Sequence, residues 1–291
     1  MSTHLVIGAS GQVGEHLLRA ASDAGFEAAG THHSHPAHGT RPLDVRRPDE
    51  VTELVAGLRP AVVYLPASQT NVDRCESEPA EGYAVNVVGV RNVVRAANAV
   101  GARLVYFSSD YIFDGRAGPY REDDPANPVN EYGRQKLAAE HHVALNARDY
   151  LVVRTTVVYG WERQGKNFIY RLINTLKDGR ALKAPSDQIG SPTYAPNLAR
   201  AAVELAGAGA AGVYNVVGPE RVSRYEFARA AADAFGLDAG LIQAVTTEEL
   251  SQTAARPLNA GMLTDKAAAA LTVRLKGYRD GLKEMASEGE G

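Results

Sequence analysis

Along the first 160 residues, short apolar runs alternate with longer stretches in which apolar residues recur every three or four positions. Residues 4–7 (His-Leu-Val-Ile) read as a strand. Residues 12–24 read as a helix with Val13, Leu17, Leu18 and Ala21 on one face. A second strand is expected over 26–30, followed by a loop rich in Gly, Pro and His. Further helices are expected over 51–58, 83–100 and 131–146, with strands over 61–65, 103–107 and 151–153. The helix over 83–100 is marked by Val87, Val90, Val94 and Ala97 at helical spacing. These strands are nearly continuous apolar runs, so both of their faces must be covered. Strict alternation with helices makes them parallel, and the pattern predicts a doubly wound α/β sheet.

Beyond residue 160 the alternation loosens. Helices are expected over 167–177, 197–206 and 223–235, and a strand over 212–217 that returns to the main sheet. Ser223 and Glu226 have the spacing of a capping box at the start of the last of these helices. An irregular stretch holds Pro185, Gly190 and Pro192, and the Ala/Gly run over 206–212 reads as a loop. Residues 284–291 read as a frayed tail.

Composition narrows the class. The chain has 291 residues, 45% hydrophobic and 22% charged, enough apolar surface to build a core and exclude disorder as the main state. With 31 basic against 34 acidic residues the net charge is -3, which argues against a nucleic-acid partner. The single cysteine, Cys75, excludes a disulfide framework and a Cys-based zinc site. No apolar run approaches the roughly 18 residues that span a bilayer, so no membrane partner is expected. The N-terminus shows no basic stretch leading into a long apolar segment, and a cytoplasmic location is expected.

Between the first strand and the first helix lies Gly8-Ala9-Ser10-Gly11-Gln12-Val13-Gly14. Glycines at a strand-to-helix turn let the backbone approach a pyrophosphate, which then sits on the helix N-terminus. In its alternating context this turn predicts a Rossmann-type dinucleotide-binding domain over 1–160 and a smaller substrate-binding region over 161–291. The two are interleaved through the returning strand, with substrate contacts drawn mainly from 161–192 and 221–265. Strict NAD use calls for a carboxylate at the end of the second strand. Here that end reads Thr31, His32, His33 and Ser34, and Arg41 follows. Hydroxyl and imidazole donors suit a 2′-phosphate, so NADP(H) is favoured and NAD(H) stays open. Asp44, before Val45, is placed to meet the adenine amino group. His32, His33, His35 and His38 share a loop with no Cys or carboxylate, and no metal site is assigned there.

Tyr132 and Lys136 open a helix at positions i and i+4, on one face. An ammonium beside a phenol favours the phenolate and makes the phenol a better acid. Ser108-Ser109-Asp110-Tyr111 follows the fourth strand at its C-terminal end, where α/β folds place ligands. A hydroxyl there can hold a carbonyl oxygen while Tyr132 protonates it.

The glycine spacing, a Ser after the fourth strand and Tyr-x-x-x-Lys downstream resemble an extended short-chain dehydrogenase/reductase. Four further segments sharpen this: Val72-Asp73-Arg74-Cys75-Glu76-Ser77-Glu78-Pro79, Ser109-Asp110-Tyr111-Ile112-Phe113-Asp114-Gly115, Arg154-Thr155-Thr156-Val157-Val158-Tyr159-Gly160 and Asp187-Gln188-Ile189-Gly190-Ser191-Pro192-Thr193. With Arg256-Pro257 and Leu263 they resemble the dTDP-4-dehydrorhamnose reductase family over most of the chain. That family reduces the 4-keto group of a nucleotide-linked deoxysugar with NAD(P)H. The resemblance implies Ser109, Tyr132 and Lys136 as catalytic residues, supported by Asn86. It implies cofactor contacts at Gly8, Ser10, Gly11, Gln12, Val13 and Gly14, at the second strand end, at Asp44 and Val45, and at Pro66 and Ala67. Tyr132 and Lys136 also touch the cofactor. Substrate contacts are implied at Thr70 and Val72, at Ser109, Asp110, Tyr111 and Tyr132, and at Val157, Asn167, Phe168, Gln188 and Ser191.

Two departures bear on the sugar. Val157 stands where family members often carry Trp, with Trp161 close enough in sequence to substitute, and the third strand ends Tyr64-Leu65-Pro66-Ala67-Ser68 instead of an Asn-Ala-Ala run. A 4,6-dehydratase needs a second carboxylate where Tyr111 follows Asp110, and is disfavoured. A nucleotide-sugar 4-epimerase uses the same triad and is one alternative. The other is a non-catalytic dinucleotide-binding regulatory subunit, like the methionine adenosyltransferase β subunit. A homodimer stays open.

Overall fold

The apolar runs fold as strands β1 (Thr3–Val6), β2 (Glu27–His32), β3 (Thr40–Pro42), β4 (Val62–Leu65), β5 (Arg103–Ser109), β6 (Tyr150–Thr155) and β7 (Gly212–Asn215). The structure, a computed structural model, describes residues 2–289. In space the strands lie in the order β7-β6-β5-β4-β1-β2-β3, every neighbouring pair parallel. The period of two along each strand divides the core. Val6, Tyr64, Val105 and Val153 face one layer of helices; Leu5, Val63, Leu104 and Val152 face the other.

The first layer holds α1 (Gln12–Asp23); the second holds α2 (Pro48–Leu58), α3 (Val90–Val100) and α4 (Glu131–Asn146). Farther along come α5 (Phe168–Lys177), α6 (Ala195–Gly207), α7 (Arg224–Ala234) and α8 (Tyr278–Glu288). Small residues make the α1–α6 contact: Ala20 and Ala21 meet a face built from Ala199, Ala202 and Ala206. After β3 at one edge the chain crosses back past β1 to β4, so the strand order reverses beside β1. The crevice at the carboxyl ends of β1 and β4 is where open α/β sheets bind ligands.

A further cluster forms outside the sheet from α5, α7 and α8, around Ile173, Phe227, Tyr278, Leu282 and Met285. The expected capping box is present: Ser223 Oγ accepts from Glu226 N at 3.1 Å, and the Glu226 carboxylate accepts from Ser223 N at 3.1 Å. Among the described residues no helix is long and apolar enough to cross a membrane.

Three elements differ from the sequence reading. The loop after the second strand contains β3, whose Thr-Arg-Pro run carries no apolar signal because it closes the sheet edge. The helix expected over 83–100 is continuous only from Val90. Before it run a short helix, Pro79–Tyr83, and a π-helical segment, Ala84–Gly89, which holds Asn86. The expected tail over 284–291 is corrected most: residues to Glu288 belong to α8, and residues 290–291 lie outside the described residues. Tyr278, Leu282 and Met285 form a helical stripe that the surrounding Glu, Ser and Gly hide in the sequence. Leu282 and Met285 are fully buried. Met285→Ala is therefore expected to cost about 2–5 kcal/mol, measured by urea unfolding, where a frayed tail over 284–291 would show no change.

Candidate active site

A cavity of about 880 Å³ runs along the carboxyl ends of the central strands. At one end is the glycine turn. Gly8 has φ +96, and a Cβ there would lie 2.9 Å from the Ala67 backbone. A Cβ on Gly14 would lie 2.1 Å from the Gly8 carbonyl oxygen, so the first turn of α1 can seat itself against the loop only with glycine. Gly11 is the N-cap of α1 and supplies no side-chain acceptor, which leaves helix N–H groups available to an anion. Ser10, Gly11, Gln12 and Val13 all line the cavity there. Thr31 Oγ1 accepts from Gly8 N at 3.2 Å and ties the end of β2 to the turn. Pro66 and Ala67 border the same region from β4.

His32, His33 and Ser34 line the cavity beyond Thr31; Arg41 does not. Beside them in the lining is Arg46, whose NH2 lies 3.4 Å from His33 Nε2. Asp44 holds Arg46 from Nε at 2.8 Å and from NH2 at 2.7 Å, and these bonds bring its carboxyl down to about 2. Val45 lines the cavity beside them.

At the other end α4 meets the end of β5. Asn130 caps α4, its Oδ1 accepting from Gly133 N at 2.8 Å. Gly133 separates Tyr132 from the rest of the helix for a steric reason: a Cβ there would lie 2.1 Å from the Tyr111 carbonyl oxygen. The helix can therefore lie directly on the Ser109–Tyr111 segment. Ser109 Oγ donates to Asp110 Oδ1 at 3.1 Å and accepts from Tyr111 N at 3.2 Å, and Ser109 and Tyr132 both line the cavity.

Burial sets the protonation of this end. It pushes the Tyr132 phenol well above its ordinary range, with the nearby Ser109 hydroxyl pulling the other way. It brings the Lys136 ammonium down to about 7 and raises the Asp110 carboxyl to about 6. The sequence reading expected Lys136 to lower the Tyr132 value. Its Nζ is instead turned onto the Phe107 carbonyl at 2.6 Å and over the Tyr106 ring at 4.5 Å, so burial prevails at the phenol.

Asn86 does not line the cavity. Its Oδ1 accepts from Ser68 Oγ at 2.7 Å and Gln69 N at 2.8 Å, and its Nδ2 donates to Gln135 Oε1 at 2.9 Å. It thus braces the loop after β4 against α4. Thr70 and Val72, from that loop, line the cavity together with Asp110, Tyr111, Val157, Asn167 and Phe168. Val157 has φ 47, a left-handed conformation that strains a β-branched residue, at the edge of the site. Asn167 caps α5 and donates to the Gly160 carbonyl at 2.9 Å.

Three expected neighbours lie outside the cavity. Gln188 donates to Thr247 and Gln252, both at 3.1 Å. Ser191 is fully buried and its Oγ accepts from Met262 N. Trp161 donates to the Met285 carbonyl at 2.7 Å and packs against Tyr170 and Phe235, so it does not take the place left by Val157. Sequence reasoning missed Arg46, Arg171 and Arg224 in the lining. Arg46 had a signal, two residues after Asp44; the others stand on separate helices and had none.

Comparison with known proteins places this geometry. A family model described as the RmlD substrate binding domain matches residues 2–290. The spore coat polysaccharide biosynthesis protein SpsK of Bacillus subtilis is 33% identical over 289 residues, 99% of this chain and 98% of that one. A dTDP-4-dehydrorhamnose reductase of Escherichia coli is 32% identical over 295 residues, covering 98% and 97%. The structure of a dTDP-4-dehydrorhamnose reductase from Bacillus anthracis in complex with NADP matches with a TM-score of 0.91 at 30% identity, over 99% of each chain.

Proposed function

The chain belongs to the RmlD substrate binding domain family, and from that premise we propose that it uses NADPH to reduce the 4-keto group of a nucleotide-linked deoxysugar. One observation carries the reading: Ser109, Tyr132 and Lys136 line a single cavity with the glycine turn. We read 1–160 as the part that holds the dinucleotide and the later segments as the part that selects the sugar.

The lining suits the cofactor. The uncapped N-terminus of α1 would hold the pyrophosphate, and Arg46 with His33 and Ser34 would hold the 2′-phosphate. When bound, NADPH supplies the hydride that the sugar C4 accepts. Tyr132, kept protonated through neutral pH by its burial, gives its proton to the C4 oxygen as negative charge develops there. Ser109 donates a hydrogen bond to the same oxygen, having Asp110 as its alternative acceptor. Lys136 holds the nicotinamide ribose and stabilises charge at the phenol as the proton leaves.

The purified protein, given NADPH and a panel of nucleotide 4-ketosugars, is expected to oxidise NADPH with at least one of them. Turnover without added reductant, with NAD retained through purification, would indicate epimerisation instead. Arg46→Gln is expected to weaken NADPH binding by about tenfold and leave NADH binding unchanged, as loss of one charge-assisted hydrogen bond predicts. Fluorescence titration with both dinucleotides checks this; an equal change for both would remove Arg46 from the 2′-phosphate site.

A further inference from the structure

Lys136 and Glu140 stand one turn apart on α4, and both are buried. At this spacing a Lys and a Glu are helix neighbours and ordinarily pair. These two are held apart. The Lys136 ammonium donates to the Phe107 carbonyl at 2.6 Å and lies over the Tyr106 ring. The Glu140 carboxylate is taken by Arg154 on β6, which donates from Nε at 3.0 Å and from NH2 at 2.8 Å. Arg154 is fixed in its turn. Its NH1 donates to the Glu122 carbonyl at 2.9 Å, and its guanidinium lies 5.4 Å from the Phe113 ring centroid. Lys136 lines the cavity; Glu140 and Arg154 stand behind it and do not.

The other titratable groups packed around Lys136 are neutral near pH 7. Burial raises the Tyr132 phenol and the Tyr106 phenol, which has no hydrogen-bond partner, and it pushes the Cys75 thiol up to about 11. Asp110, from just after β5, bears on Tyr132. Burial lowers Lys136, and Glu140 is the anion that opposes it. Stability does not explain such a pair, since a buried Arg–Glu bridge contributes little more than apolar residues of the same size. Resting on the reductase reading above, we propose that Glu140, held by Arg154, is a positioning residue that acts through Lys136. Its charge keeps Lys136 an ammonium in a site closed to water, and Arg154 stops the carboxylate from drawing that ammonium out of the cavity.

The test follows the Lys136 titration directly. In full-length protein labelled with 13C at lysine Cε, the Lys136 signal is the one missing from Lys136→Met, and its shift against pH gives the midpoint without any turnover. Glu140→Gln is expected to move that midpoint from about 7 to about 6. Its kcat on a ketosugar should then fall about fivefold at pH 7 and change little at pH 5, as the charged share of Lys136 does. Glutamine leaves Arg154 charged and unpaired, so Glu140→Gln/Arg154→Met, which removes both charges, guards against a folding defect. It is expected to show the same downward shift. Arg154→Met alone should act with the opposite sign, raising the midpoint and weakening NADPH binding as Glu140 turns to Lys136. A purely structural bridge would move the midpoint in none of these variants. An unchanged midpoint in the double variant would overturn the proposal while wild-type ketosugar reduction leaves the reductase reading standing. A wild type that binds NADPH and reduces no nucleotide ketosugar would overturn the reductase reading, whatever the midpoints.

Discussion

Tyr132→Phe is expected to lower the rate of sugar reduction by about 100- to 10,000-fold while leaving NADPH affinity nearly unchanged. The substitution removes one hydroxyl and keeps the ring that meets Tyr111 edge-on at 5.7 Å. The packing at the start of α4 therefore survives, and the loss falls on proton transfer. Burial makes the assignment sharper. It holds the phenol protonated across neutral pH, so the residue begins each reduction as a donor. Ser109 cannot replace it, since a serine hydroxyl is far too weak an acid to end as an alkoxide. Single-turnover hydride transfer, measured beside NADPH titration, separates chemistry from binding. A phenylalanine variant with full activity would remove Tyr132 from the role of proton donor.

Lys136→Met is expected to reduce turnover by at least about 100-fold and to weaken NADPH binding by about tenfold, because it removes the buried charge one helical turn from the phenol and the ribose contact proposed for it. Methionine fills most of the buried space, so the effect is not that of a cavity. The pH profile identifies the cause. Burial brings Lys136 down to about 7, so the ammonium is charged below that value and loses its proton above it. If the charged form is the active one, wild-type turnover falls as pH rises through about 7, and the methionine variant lacks this limb. A variant that retains the same limb would assign it to another group, Asp110 being the nearest in value.

The sheet was legible in the sequence because β4 and the middles of β5 and β6 are buried on both faces and filled by apolar residues. The glycine turn was legible for a similar reason, since Gly8 and Gly14 each stand where a Cβ would strike backbone. Elements held by tertiary contacts were not. The stripe of α8 is only three residues wide and its neighbours are polar, so its docking onto Phe227 leaves no mark in composition. The π segment around Asn86 follows from the bonds that residue makes to Ser68, Gln69 and Gln135, which come from two other parts of the chain. In the site, Ser109, Tyr132 and Lys136 were readable as a spaced set. Arg171 and Arg224 were not, because they reach the cavity from two separate helices and no motif or spacing marks them. Ser191 was misplaced for the converse reason: its hydroxyl serves the Met262 backbone.

The central step is transfer of hydride from NADPH to C4 of a nucleotide-linked ketosugar, and isotope transfer measures that step itself. The protein, NADPH deuterated at both C4 positions and dTDP-4-dehydrorhamnose are incubated together, and the sugar product is analysed by NMR and mass spectrometry. The account predicts one deuterium at sugar C4 for each NADP+ formed, lost from the Tyr132→Phe reaction over the same time. A product without deuterium, or a sugar inverted at C4 with NADPH unconsumed, would contradict it.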